Sequence, residues 1–134
     1  MYSVGILNRN IYKCISENII TDEVIITDNQ VGHVLERHPA SYHLTIDHLK
    51  DAIHDPDFII EDKHPNTGLV IKHLNTDAGY LQIVLRLCTL HDEPGYKNSI
   101  ISCWEISEKR LQNYLRNKRI LYKKECTSYN NHIL

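Results

Sequence analysis

The chain has 134 residues, 42% of them hydrophobic and 24% charged, with a formal net charge of −2. That is the profile of one soluble globular domain, 1–134, large enough to bury a core without staples. Its longest aliphatic runs, such as Val24-Ile25-Ile26 and Leu69-Val70-Ile71, span three residues. This excludes a transmembrane helix, and no basic flank leads into an apolar stretch at the N-terminus, so no secretory signal is expected.

Residues 3–15 alternate weakly and predict a short strand or hairpin turning at Asn8-Arg9-Asn10. Val24-Ile25-Ile26 is a short β-branched run. Thr27 or Asp28 then offers an N-cap for a helix running through His38, which Pro39 ends by disfavouring helical backbone before it. Ile46, Leu49, Lys50 and Ile53 stand at helical spacing between Ser41 and His54, and Asp55-Pro56-Asp57 breaks that helix. From Phe58 the period becomes that of strands: 58–62, then Pro65-Asn66 as a turn, 68–74, a turn at 75–79, and 80–90. In the last of these Leu81, Ile83, Leu85 and Leu87 face one side, and Gln82, Val84, Arg86 and Cys88 the other. After a loop at 91–97 a fourth strand is predicted over 98–106. Ser107 caps a helix carrying Leu111, Tyr114 and Leu115 on its apolar stripe, and Ile120-Leu121-Tyr122 is a last short strand. The tail 126–134 is polar and expected to fray.

Short loops between successive strands imply antiparallel neighbours. The expected fold class is α+β: N-terminal helices packed on one face of a twisted antiparallel sheet of about four strands, with a helix before the last short strand. Four scattered cysteines, without a C-x-x-C pair, argue against a four-thiolate zinc site and fit a reducing cytoplasm.

Charge is unevenly distributed. Residues 1–62 hold eleven acids and four bases, and residues 63–134 six acids and eleven bases. Between Lys109 and Lys124 lie seven bases and no acid. Such a cluster suits an anionic partner, or is simply a solvated helix face followed by a lysine-protected edge strand.

The densest potential chemistry is His33-Val34-Leu35-Glu36-Arg37-His38-Pro39. On an ideal helix His38 shares the buried stripe of Val31, Val34 and Leu35, while His33 and Arg37 are neighbours four apart on the opposite side. The i,i+5 histidine spacing does not fit a His-Glu-x-x-His zinc helix. Metal binding through His64, His73 and His91 has no spacing behind it, and for most of the nine histidines a plain polar role is the simpler reading. Arg86 in mid-strand needs an anion: a salt bridge to an acid such as Glu105, or a substrate phosphate. Lys97 is either a phosphate contact or an ordinary loop lysine.

Taken together, Val24-Ile25-Ile26-Thr27-Asp28, His33-x-x-Glu36-Arg37-His38-Pro39, Asp55-Pro56-Asp57-Phe58-Ile59, Leu85-Arg86-Leu87, Tyr96 to Ser102, and Arg119 to Lys124 resemble the phage-associated barnase–EndoU–colicin–RelE-like (BECR) nuclease domains. The resemblance covers about residues 20–125. Ser102 stands where the family often has threonine. It implies a RelE- and barnase-like fold and a toxin-like, metal-independent endoribonuclease without a cofactor, acting in the cytoplasm. There a base takes the RNA 2′-OH proton, an acid protonates the leaving 5′ oxygen, and cations stabilise the phosphorane. It implies His33 and His38 as acid/base groups, Arg37, Arg86 and Lys97 as phosphate stabilisers, and Ser102 as a hydrogen-bonding partner. Asn98, Arg116 and Arg119 are the expected substrate-binding residues. RNA is the expected partner, with a neutralising immunity or antitoxin protein besides, and no membrane. The helical geometry ranks His33 first and makes His38 structural. Two alternatives stay open: a non-catalytic RNA- or protein-binding module, and a histidine-based metalloprotein.

Overall fold

The computed structural model describes residues 1–37, 46–74 and 79–125, with the backbone alone at residues 35, 37, 46 and 47. The elements in chain order are β1 (Tyr2–Ile6), α1 (Arg9–Tyr12), β2 (Glu23–Ile26), α2 (Asp28–Arg37), α3 (Ile46–His54), β3 (Phe58–Glu61), β4 (Thr67–His73), β5 (Tyr80–Arg86), β6 (Asn98–Ile106), α4 (Glu108–Asn117) and β7 (Ile120–Lys123).

Among the described residues seven strands join one sheet in the order β1-β2-β6-β5-β4-β3-β7. The strands β3, β4, β5 and β6 form the expected antiparallel meander. The sheet does not stop there. β7 adds antiparallel to β3, and β2 adds parallel to β6, with β1 antiparallel outside it. The expectation of an antiparallel sheet of about four strands is therefore corrected to a seven-stranded mixed sheet. The reason is physical: β2 and β7 are four-residue runs whose backbone groups need partners, and only tertiary proximity supplies them. Of the short strand or hairpin expected over 3–15, the strand is present as β1, and the hairpin is replaced by α1, which Asn8 caps by accepting from the Asn10 N–H at 2.9 Å.

Helices cover both faces, not one. Leu81, Ile83 and Leu85 of β5 pack in one cluster with Tyr12 of α1, Val34 of α2, and Leu49, Ala52 and Ile53 of α3. On the opposite face Tyr80, Val84, Ile60, Leu69, Ile71, Trp104 and Ile106 meet Leu111, Tyr114 and Leu115 of α4. The placement of all helices on one face is thus overturned by α4, whose apolar stripe packs on the opposite face. Helix α2 begins with a reciprocal cap: the Gln30 N–H donates to Thr27 Oγ1 and the Thr27 N–H to Gln30 Oε1, both at 3.2 Å, the geometry of a capping box. At Gly68 a Cβ would stand 2.6 Å from Ile15 Cδ1, so the missing side chain lets the segment after α1 approach β4. None of the described helices is long and apolar enough to cross a membrane. The expected frayed tail lies outside the described residues.

Candidate functional site

Helix α4 covers only part of its face of the sheet. Past its end lies an open groove of about 490 Å³, lined by Asp62, His64, Pro65, Thr67, Val84, Arg86 and Ile101. Sheet register builds its floor. Thr67 pairs with Arg86 across β4–β5, and Val84 pairs with Ser102 across β5–β6. The β5–β6 register slips after Val84, so that Leu85 pairs with Ile100 and Ile101 has no opposite number. That bulge presents Ile101, 43% exposed, on the groove side.

One wall is the turn between β3 and β4. Asp62 Oδ2 accepts from the His64 backbone N–H at 3.0 Å and lies 2.9 Å from His64 Nδ1. Burial pushes the Asp62 carboxyl up, but the backbone and ring hydrogen bonds from His64, with the charges of His64 and Lys118, outweigh it and hold the carboxyl below the usual range. Asp62 is therefore ionised at neutral pH. An ionised carboxylate only accepts, so a neutral His64 carries its proton on Nδ1 and leaves Nε2 as a free lone pair.

The other wall holds Arg86. Its Nη2 donates to Asp92 Oδ1 at 2.8 Å and its Nη1 to the Leu87 carbonyl at 3.4 Å. Asp92 Oδ2 in turn accepts from the Thr89 N–H at 2.8 Å. The Arg86 hydrogen bond, with those from Thr89, holds the Asp92 carboxyl below its ordinary value against the opposing effect of burial. The acid that balances Arg86 is thus Asp92, not Glu105. A guanidinium has five N–H donors, and its side chain is 41% exposed, so donors remain for a ligand.

Of the residues expected from the sequence, Arg86 and Ser102 share this face of the sheet. His33 is exposed on α2, and α2 packs through Val34 on the opposite face, so the two do not meet. Arg37 ends α2 with its side chain undescribed, and His38 lies outside the described residues. Lys97 donates to Glu23 Oε2 at 2.5 Å, away from the groove lining. Asn98 is fully buried: Oδ1 accepts from the Cys88 N–H at 2.8 Å, and Nδ2 donates to the carbonyls of Thr21 and Glu23 at 2.8 and 3.0 Å. It cannot touch a substrate. Arg116 is exposed in the last turn of α4, and Arg119 pairs loosely with Glu61 at 3.6 Å. Among the described residues no group of three histidines, cysteines or carboxylates gathers as a metal site would require.

Sequence reasoning gave His64 no catalytic role. The signal was Asp62-Lys63-His64-Pro65-Asn66, where an aspartate before a proline-containing turn bonds the backbone two residues on and takes the histidine ring with it.

The chain matches no protein-family model, no curated protein and no solved structure.

Proposed function

We propose that the chain is a metal-independent RNA-cleaving domain whose reaction centre is the groove between the β3–β4 turn and Arg86. One observation carries this reading: an imidazole oriented by an ionised carboxylate shares an open groove with a guanidinium. In RNA transesterification His64 Nε2 takes the 2′-OH proton, and the freed oxygen attacks the adjacent phosphorus. Arg86 stabilises the added negative charge, and solvent reaching the open groove protonates the departing 5′ oxygen. Asp62 fixes the orientation of the ring. The free thiols Cys14, Cys88 and Cys103 suit a reducing cytoplasm. The reading rests on this groove and not on a barnase-like architecture, which the seven-stranded mixed sheet replaces.

Purified protein should cut single-stranded RNA in EDTA and leave 2′,3′-cyclic phosphate ends. His64→Ala should lower kcat/KM about 10²- to 10⁴-fold, the range for loss of a general base. Arg86→Ala should lower it by a similar order, and His33→Ala should leave it unchanged. Intact RNA at high protein concentration, or loss of activity on His33→Ala but not on His64→Ala, would overturn the assignment.

A second reading, a module that binds RNA without cutting it, is favoured by the pairing of Arg86 with Asp92. It expects His64→Ala to leave RNA affinity untouched while no product forms with either protein.

A further inference from the structure

We infer that a second anion subsite lies across the β3–β4 turn from this groove, and that the ligand is a single-stranded polyanion bent over the turn. The inference rests on the RNA reading above and adds a second contact site to it. A second hollow of about 400 Å³ is lined on its own side by Ile15, Glu61, Lys63, Arg119 and Leu121 among others, and it shares Asp62 and His64 of the turn with the first. Ile15 and Leu121 pack against the core on the opposite face of the sheet. The two hollows therefore open on opposite faces, with the turn as the ridge between them and Asp62 and His64 in both walls.

Each side has a cation to offer. On the far side Arg119 is 75% exposed and its partner Glu61 52% exposed, at 3.6 Å. A pair so solvated is weak and readily exchanged for a phosphate. Lys63 is exposed on the same turn. On the near side stands Arg86. A ligand that reaches both hollows must pass over the turn from one face of the sheet to the other, which takes several consecutive nucleotides. A duplex, stiff over ~150 base pairs, cannot fold over one hairpin turn. The ridge thus selects single strands and reads length.

The test uses the full chain and fluorescent 2′-O-methyl oligoribonucleotides, which cannot be cleaved, with binding followed by anisotropy. A hexanucleotide should bind at least tenfold more tightly than a dinucleotide, and a duplex of the same length no better than the dinucleotide. Lys63→Ala combined with Arg119→Ala should abolish the gain from length and leave dinucleotide binding unchanged. It should also flatten the plot of log K against log salt by about 1.4, because two phosphates of a single strand are no longer neutralised. Arg86→Ala should weaken both ligands. Length-independent binding that still depends on Arg86, equal loss of both ligands in the double variant, or preference for the duplex would overturn the second subsite alone. Absence of binding by every oligonucleotide would overturn the subsite and the RNA reading together.

Discussion

Asn98 illustrates how a single amide can be spent on architecture. Its carbonyl oxygen and both amide hydrogens are used within the fold, on Cys88, Thr21 and Glu23, and nothing of it reaches solvent. It sits where β6 receives β2 in parallel, a junction with only the pairs Val24–Asn98 and Ile25–Ser99. An unsatisfied buried group costs about 1–3 kcal/mol, and Asn98→Ala orphans an N–H while stripping two carbonyls of a donor. We expect a loss of about 3 kcal/mol, read as a lower urea midpoint. A variant as stable as the parent would show that water replaces the amide at this junction. Asp62 and Asp92 play a comparable part for the groove. Each accepts from nearby backbone as well as from the side chain it orients, which places His64 and Arg86 on opposite walls without either having to hold itself in place.

At the scale of elements, the segment Asp55-Pro56-Asp57 ends α3, as proline and aspartate do, and it also anchors the last strand. Lys124, just past β7, donates to Asp55 Oδ2 at 2.7 Å, and its backbone N–H donates to the Asp57 carbonyl at 2.9 Å. Lys72 of β4 donates to the Asp55 carbonyl at 2.8 Å and approaches Oδ2 at 3.3 Å. The hydrogen bond from Lys124, opposed by burial and aided by the charge of Lys72, holds the Asp55 carboxyl below its usual value. A depressed carboxyl stabilises the folded chain fully above its unfolded value, near ~3.9, and that contribution is lost as pH falls through the lower folded value. Asp55→Asn should therefore be less stable than the parent at pH 7, and the two curves should converge in strong acid. Because Asp55 is 40% exposed, the gap should be small. Parallel pH–stability curves for the two proteins would show that β7 is held by backbone pairing alone.

For the whole molecule the sheet has a strong centre and lightly attached margins. β4, β5 and β6 pair over long antiparallel registers, and both apolar clusters meet on them. β1 and β2 join this body through the two-pair parallel junction, the Asn98 amide, the packing of α3 on β1, and Val4, Val24 and Ile26 in the cluster that holds Leu81 and Ile83. Opening free energies follow such differences in buried contact and pairing. In native-state hydrogen exchange the amides of β5 should be the slowest and those of the two edge strands β1 and β7 the fastest. Asn98→Ala should speed exchange in β1 and β2 before it affects β4 or β5. Equal acceleration throughout would show that the sheet opens as one unit.

Side-chain period and local polar signals were enough for the sequence alone to determine where most elements lie: the strands from Phe58 onward, the capped helices at Thr27 and Ser107, and the two-sided character of Tyr80–Arg86, although the strand expected to run to Leu90 stops at Arg86. Those features are encoded within a few residues. Tertiary structure alone decided how many strands share the sheet and which face each helix covers, because the β2–β6 and β3–β7 pairs join segments sixty or more residues apart and leave no local trace. It also moved the candidate chemistry. His33 with Arg37 is the denser cluster along the chain, but α2 lies on the far face from Arg86. The histidine that lines the same groove as Arg86 is His64, carried there by the pairing of β3, β4 and β5. A site assembled by sheet register cannot be read from spacing along the chain, since its members become neighbours only when the strands pair.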